Sequence, residues 1–220
     1  KSTFALLAIL GQAEAAVMLN EIRISQSGAD NDFFELSGTP GESLNNLTFI
    51  GISSEFSPGQ INYAFSLDGL TIPADGYFLG AQSSGAFPGV DLTTGIDFFG
   101  SPVVFALVQN FTGSAGNDLD TNNDGVLEST PWSALIASVA IVDSDTTPDQ
   151  VYLGAETLNS GNNFAPAHIY RQTDGSSAWV IGDFSDLSND TPGLANNPIP
   201  ESSSTLLLLG GLALAGVRRR

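Results

Sequence analysis

The chain has 220 residues, and its 24 acidic and 6 basic residues give a formal net charge of −18 without a single cysteine. The acidic excess repels the phosphates of nucleic acids and the headgroups of anionic lipids, which argues strongly against nucleic-acid binding. The lack of cysteine excludes disulfides and thiolate chemistry, so the fold depends on a hydrophobic core, with or without a metal ion.

The first 15 residues have the three parts of a secretory signal peptide. Lys1 provides the positive start, residues 4–10 form an apolar run, and Ala13 and Ala15 form a small-residue cleavage site. We expect a signal helix that is removed, so that the mature body of an exported protein starts near Ala16. The alternative interpretation is a buried first strand or helix.

Between the two termini, short strand signals alternate with turn-forming residues. Phe, Val, Ile, Thr and Tyr dominate the strand signals, and Gly, Pro, Asn and Asp separate them. The predicted strands cover residues 18–25, 32–36, 47–52, 61–67, 76–79, 102–108, 134–142 and 168–171. This pattern predicts one all-β domain, a β-sandwich over residues 16–197, with room for a single helical turn at 132–140.

Five motifs of this body occur in the order that is typical of bacterial lamin-tail domains. They are Leu19-Asn20-Glu21-Ile22, Asp32-Phe33-Phe34-Glu35-Leu36, Ser43-Leu44-Asn45-Asn46-Leu47, the segment 70–80 and the segment 191–196. The chain resembles that family, and the resemblance implies an immunoglobulin-like β-sandwich with long loops. Relative to the usual family pattern, the region between about residues 81 and 165 is an insertion.

An acidic loop, residues 118–128, is the best candidate for a metal site. The predicted calcium ligands are Asp118, Asp120, Asn122, Asp124, the Val126 carbonyl and Glu128. Oxygen ligands at alternate positions point inward when a loop winds at a glycine after the third ligand, here Gly125. The segment resembles the D-x-N-x-D-G loops of thrombospondin type 3 repeats, which implies a structural, non-catalytic calcium ion. The alternative is a plain acidic turn.

The other titratable side chains are predicted to have structural roles. Glu21 and Glu35 lie on apolar strands, where a buried carboxyl group needs a partner such as Arg23 or a backbone amide. His168, the only histidine, is predicted to pack within a strand, because no nucleophile elbow or zinc-binding pattern accompanies it. The acidic pairs Asp143/Asp145 and Asp183/Asp186 are predicted to lie in solvated loops.

The last residues, 198–220, combine a proline–glutamate pair, an apolar run and a basic end. Pro200 and Glu201 come first, and Arg218, Arg219 and Arg220 close the chain. The apolar run between them would span roughly 20 Å as a helix, less than the roughly 30 Å hydrocarbon core of a bilayer. This tail resembles the PEP-CTERM sorting signal of Gram-negative bacteria. The resemblance implies a short transmembrane helix that holds the protein in the inner membrane until an exosortase removes it; the alternative is a plain tail anchor.

Two functions are compatible with these features. The first is a non-enzymatic exported protein, displayed at the cell surface or released into the extracellular polysaccharide of a biofilm matrix, as the sorting-signal resemblance implies. The second is a calcium-dependent polysaccharide hydrolase, which needs a carboxylate pair in a cleft lined by aromatic residues such as Trp132, Tyr152 or Trp179. Catalytic residue types are sparse, so the sequence favours the first function.

Overall fold

The structure, a computed structural model, describes residues 17–24, 31–95, 97–98, 102–184 and 190–196. The predicted signal peptide, with Ala13 and Ala15, lies outside the described residues. So does the predicted sorting tail, with Pro200, Glu201, Arg218, Arg219 and Arg220. In the part of the chain that is described, no helix has the length and apolar character needed to cross a bilayer.

The regular elements of the described residues are all β-strands, so the predicted all-β class is confirmed. The strands are β1 (Met18–Arg23), β2 (Phe33–Ser37), β3 (Leu47–Ser53), β4 (Ile61–Ser66), β5 (Tyr77–Ala81), β6 (Leu92–Thr93), β7 (Val103–Gln109), β8 (Ala134–Val142), β9 (Glu156–Asn159), β10 (His168–Arg171) and β11 (Trp179–Ile181). The first sheet has the order β11-β10-β1-β2-β5-β6, and the second has the order β4-β3-β7-β8-β9. Both sheets are mixed, since β5 pairs with β6 and β8 pairs with β9 in parallel.

Aromatic side chains fill the space between the two sheets, as expected for a β-sandwich. Phe34 from the first sheet stacks on Phe49 from the second, with ring centroids 4.0 Å apart. Phe78, Phe98 and Phe105 are buried in the same core. Large rings bury much apolar area each, so they offset the lack of disulfides in a chain of this size.

The second sheet is buried on both faces, because long connecting segments fold over its outer side. That outer face presents Ile50, Ile52, Ile61, Val104, Ala106, Val108 and Ala140, all buried. We call residues 111–132 and 151–155 the covering layer; Leu119, Asp120 and Tyr152 are its buried residues. Much of the region between residues 81 and 165 therefore packs with the strands in one body.

All eight predicted strands are confirmed, with ends shifted by at most two residues. The helical turn considered at 132–140 is wrong, because β8 starts at Ala134 and pairs along its length with β7. The sequence missed β6, β9 and β11, which have two, four and three residues. These strands lie at sheet edges and are too short for an alternating pattern to stand out.

Candidate metal site and buried polar network

The acidic loop belongs to the covering layer, and the buried carboxylate of Asp120 joins it to the other segment of that layer, residues 151–155. Its Oδ2 accepts hydrogen bonds from the Tyr152 hydroxyl and the Gly125 amide, both at 2.9 Å, and its Oδ1 accepts one from the Asp124 amide at 3.1 Å. Gly125 has a φ of 85°, the left-handed conformation that a loop glycine adopts at little cost. The loop therefore winds at Gly125, as the sequence predicts.

Three carboxylates converge inside this loop. Asp120, Asp124 and Glu128 each place one oxygen within 4.8 Å of the others. Such an all-oxygen donor set fits calcium, which prefers carboxylate and carbonyl ligands. Glu128 also accepts a hydrogen bond from the Thr121 amide at 2.7 Å, so both ends of the loop are held together.

The remaining predicted ligands lie around these three carboxylates. Asn122 contacts Asp124 twice, since its Oδ1 accepts the Asp124 amide at 3.0 Å and its Nδ2 donates to Asp124 Oδ2 at 3.1 Å. Asp118 is outside the group of three, and its Oδ1 accepts the Asp120 amide at 3.1 Å. Val126 is exposed and donates its amide to Asp124 Oδ1 at 3.0 Å.

Asp120 is the anionic centre of the loop. Burial opposes its ionisation, but hydrogen bonds from the Tyr152 hydroxyl and from the backbone amides of Gly125, Asp124 and Asn123 outweigh that effect. The pKa of Asp120 is therefore below its usual value. Its contribution to stability is present above the unfolded pKa and is lost as the pH falls through the folded pKa.

A buried polar network ties the C-terminal segment, residues 190–196, to β1 and β10. Glu21 accepts two hydrogen bonds from Thr191, one from its amide at 3.0 Å and one from its hydroxyl at 2.6 Å. The Nε2 of His168 lies 2.8 Å from Glu21, and its Nδ1 lies 3.3 Å from Asp190. The imidazole is held between two buried carboxylates, a cluster that sequence reasoning missed.

Arg23 provides the positive charge of this network. Its guanidinium lies 3.0 Å from Asp190 Oδ1 and donates to the carbonyls of Asp183 at 3.1 Å and Phe184 at 2.9 Å. Its side chain is only 5% exposed. Arg23 thus forms an ion pair with Asp190, whereas Glu21 accepts a hydrogen bond from the backbone amide of Thr191.

Glu35 is the neutral acid of the network. Its two oxygens accept hydrogen bonds from the side-chain amide of Asn20 at 2.8 Å and from the backbone amide of Gly193 at 2.7 Å. Burial raises the pKa of Glu35 to about 9, and the nearby carboxylates of Glu21 and Asp174 add to the increase. Glu35 is therefore protonated at neutral pH, although it accepts two hydrogen bonds.

Asp174 and Asn196 complete the network at the end of the C-terminal segment. Asp174 accepts hydrogen bonds from the Asn20 side chain at 2.9 Å, the Tyr77 hydroxyl at 2.7 Å and the Asn196 amide at 3.0 Å. The side chain of Asn196 donates to the backbone carbonyls of Asn20 at 3.3 Å and Arg171 at 2.9 Å. The segment is thus bound along its length to buried polar groups.

The described surface carries acidic charges without basic ones. Arg23 and Arg171 are the only arginines of the described residues, which contain no lysine, and both are buried. Arg171 donates its Nε to the Leu19 carbonyl at 2.6 Å and lies over the ring of Trp179, 4.6 Å from its centroid. Both arginines therefore make their contacts in the protein interior, and neither adds positive charge to the described surface.

The two acidic pairs predicted for loops lie at different depths. Asp145 is exposed and accepts the Thr147 amide at 2.6 Å, whereas Asp143 is half-buried. Asp183 is exposed and bonds to Arg23 through its backbone, and Asp186 lies outside the described residues. The described members of these pairs, Asp143, Asp145 and Asp183, do not join the three carboxylates of the acidic loop.

The buried network and the acidic loop are built from different parts of the chain. The loop is local in sequence, while the network joins β1, β2, β10 and the C-terminal segment. The ordered motifs around Glu21, Glu35 and Thr191 were the sequence signal for this network, although they did not reveal its contacts. The chain matches no family model, no curated protein and no solved structure.

Proposed function

We propose that the chain is an exported, non-enzymatic protein of a Gram-negative-type bacterium, displayed at the cell surface or held in extracellular polysaccharide. The observation that supports this proposal is that the buried carboxyl groups have structural partners within the fold. Glu21 and Glu35 accept hydrogen bonds that hold the C-terminal segment in place. A body whose C-terminal segment is bound this firmly can keep its fold when the tail that follows is removed. We propose that this tail anchors the protein transiently in the inner membrane and that an exosortase then removes it.

We also propose that the β-sandwich is an immunoglobulin-like domain of the lamin-tail type. Four of the five motifs that carry the resemblance supply residues to one polar network. They contribute Asn20 and Glu21 from the first, Glu35 from the second, Tyr77 from the fourth, and Thr191 and Asn196 from the last. A shared network gives a physical reason for these motifs to occur together, since removal of one member leaves buried polar groups without partners.

We propose a structural calcium ion in the acidic loop. Asp120, Asp124 and Glu128 would hold it, and the ion would neutralise part of the charge on an acidic surface. Because Asp120 bonds to the buried Tyr152, the ion would also stabilise the covering layer on the second sheet. Its role is stability, and no reaction step depends on it.

We expect calcium to raise the melting temperature, and Asp124→Ala to abolish most of that increase. Free calcium at about 100 times its Kd adds about 2.7 kcal/mol, roughly 5–10 °C for a domain of this size. Asp124 is exposed, so its replacement leaves the core intact. Melting curves with calcium and with chelator, at matched ionic strength, measure the effect.

Asp145→Ala is the matched control for this prediction, because Asp145 is an exposed carboxylate on another loop. It should keep the full calcium-dependent increase. Identical wild-type curves with calcium and with chelator would contradict the calcium proposal, and the loop would then be a plain acidic turn.

The alternative, a calcium-dependent polysaccharide hydrolase, has weaker support. An open cavity of about 630 Å³ has two carboxylates, Asp75 and Asp174, in its described lining, but Asp174 already accepts hydrogen bonds from Asn20, Tyr77 and Asn196. Of the aromatic residues considered for a cleft, Tyr152 is buried in the covering layer, Trp179 is buried in the central core, and Trp132 is half-buried in the covering layer. Glycoside hydrolysis requires a pair of carboxyl groups that act on a bound substrate, whereas Asp174 is bonded to groups of the protein itself.

Processing in cells tests the export proposal. The full chain is produced with and without an exosortase, and its mature form is examined by N-terminal sequencing and mass spectrometry. We expect a start near Ala16 and a C terminus without Arg218, Arg219 and Arg220 when the exosortase is present. Replacing the three arginines with Ser should impair membrane retention and processing. A mature form that keeps residues 4–10, or the intact basic end, would contradict the proposal.

A further inference from the structure

A polar groove lies on the outer face of the second sheet, at the place where the covering layer ends. It has a volume of about 460 Å³ and is open to solvent. Thr48 of β3 with Ala64 and Ser66 of β4 line it from the sheet, and Phe111 and Ser114 line it from the covering layer. A cavity of this size is in the range that binds small ligands or short polymer segments.

The chemistry of the sheet changes at this groove. Successive strand residues point to opposite faces, so Thr48, Ile50 and Ile52 share the outer face of β3. Under the covering layer this face presents fully buried isoleucines, whereas in the groove it presents Thr48, Ala64 and Ser66. The uncovered part of the sheet therefore suits a polar occupant, not another apolar layer.

The ring of Phe111 forms an aromatic wall whose position is set by its neighbours. Phe111 is partly buried against the outer core. A Cβ added to Gly113 would lie 2.8 Å from the Phe111 ring and 2.9 Å from Pro131, so only glycine allows this close packing. The Thr112 amide donates to the Pro131 carbonyl at 2.8 Å, which holds the same turn. A pre-positioned ring lowers the entropy cost of binding.

Hydrogen-bonding groups surround the ring. Asn46 and Asn110 lie side by side, since the Asn110 amide donates to the Asn46 carbonyl at 2.8 Å. Asp68 accepts hydrogen bonds from the Asn46 amide at 2.6 Å and from the Ser66 hydroxyl at 3.2 Å, which holds its carboxylate at the rim. Amide, hydroxyl and carboxylate groups beside an aromatic ring suit a ligand that has many hydroxyls and one apolar face.

We propose that this groove binds a segment of neutral polysaccharide. Sugar hydroxyls pair with Asn46, Asn110 and Asp68, and the C–H face of a sugar ring packs on Phe111. The described surface has no exposed basic side chain, so an anionic polysaccharide is repelled. This inference rests on the proposed function, because a protein held in extracellular polysaccharide needs a site that binds the polysaccharide.

Native affinity electrophoresis of the full chain, purified in mild detergent, tests the groove. The gels contain calcium and one of four polymers: dextran, hydroxyethylcellulose, galactomannan or the acidic polymer hyaluronate. We expect retardation by at least one neutral polymer and none by hyaluronate. Phe111→Ala and Asn46→Gly should each weaken the interaction at least about tenfold.

Two features of the variants keep the result interpretable. Asn46 has a φ of 63°, which glycine adopts without strain. Asn46→Gly therefore removes the side-chain amide group and preserves the backbone conformation. Phe164→Ala is the matched control, because the Phe164 ring is 39% exposed beside Phe184 and does not line the groove. Its retardation should equal that of the wild type.

Three outcomes would overturn the proposal: no retardation by any neutral polymer, unchanged retardation in both groove variants, or strongest retardation by hyaluronate. Melting curves of each variant confirm that the fold is retained. The assay uses purified protein, so failed export leaves its result unchanged. Conversely, loss of glycan binding leaves signal-peptide and tail processing unchanged, and the two proposals fail separately.

Discussion

Replacing Glu35 with Gln should remove a large loss of stability that the wild type undergoes as the pH rises. The carboxyl group of Glu35 titrates near 9 in the folded chain and near 4.5 in the unfolded chain. Between these values the folded chain keeps a proton that the unfolded chain releases. Each pH unit in this window therefore lowers the free energy of unfolding by about 1.4 kcal/mol, which reaches about 6 kcal/mol by pH 9.

Urea unfolding from pH 5 to pH 9 measures this effect as the difference between wild type and Glu35→Gln. At pH 5 the variant should be the less stable, because Asn20 and Gly193 donate to different oxygens of Glu35, and the NH2 group of Gln would face one of these donors. As the pH rises, the wild type should lose stability relative to the variant. Glu156→Gln, at an exposed position, is the control for the charge change. Parallel pH profiles of wild type and Glu35→Gln would contradict the prediction.

Arg23→Met should destabilise the fold by about 3–5 kcal/mol, the usual cost of removing one partner of a buried ion pair. The substitution removes the guanidinium that forms an ion pair with Asp190. The side chain of Asp190 is only 3% exposed, so water cannot replace the lost partner. The substitution also removes the donors that satisfy the carbonyls of Asp183 and Phe184. Methionine keeps much of the length of the side chain, so the loss reports mainly on charge and hydrogen bonding.

Urea unfolding at pH 7 measures the effect of Arg23→Met, and a second substitution separates its causes. Combining it with Asp190→Asn should recover part of the lost stability, because no buried carboxylate remains unpaired at that position. Arg23→Lys should fall between wild type and Arg23→Met, since it keeps the charge but loses the planar fork of donors. A loss below about 1 kcal/mol for Arg23→Met would show that the pair does not support the fold.

The strands show which kind of pattern can be read from sequence. β8 occupies the predicted residues Ala134–Val142, because its two isoleucines and two valines favour a strand, although its alanines also left room for a helical turn. β9, Glu156–Asn159, could not be read, since its residues are largely exposed and polar. It exists because its backbone pairs in parallel with β8, a contact that no local pattern reveals.

The acidic loop was accessible to sequence reasoning because its predicted ligands and Gly125 are close together in the chain. Its attachment was not, because Tyr152 is 32 residues from Asp120 and carries no sign of that hydrogen bond. The same limit applies to the groove beside Phe111. Its sheet residues and its aromatic wall come together only when the covering layer folds over the second sheet.

The sequence by itself determined the strand-rich class, the lack of disulfides, the acidic charge and the glycine at which the loop winds, because each is a property of composition or of neighbouring residues. Only the tertiary structure decided that Glu35 is neutral and that both arginines of the described chain are internal. A pKa depends on the exclusion of water and on nearby charges, and Glu35 meets Gly193 across 158 residues of chain. Contacts at that separation are set by the packing of strands, which no local pattern encodes.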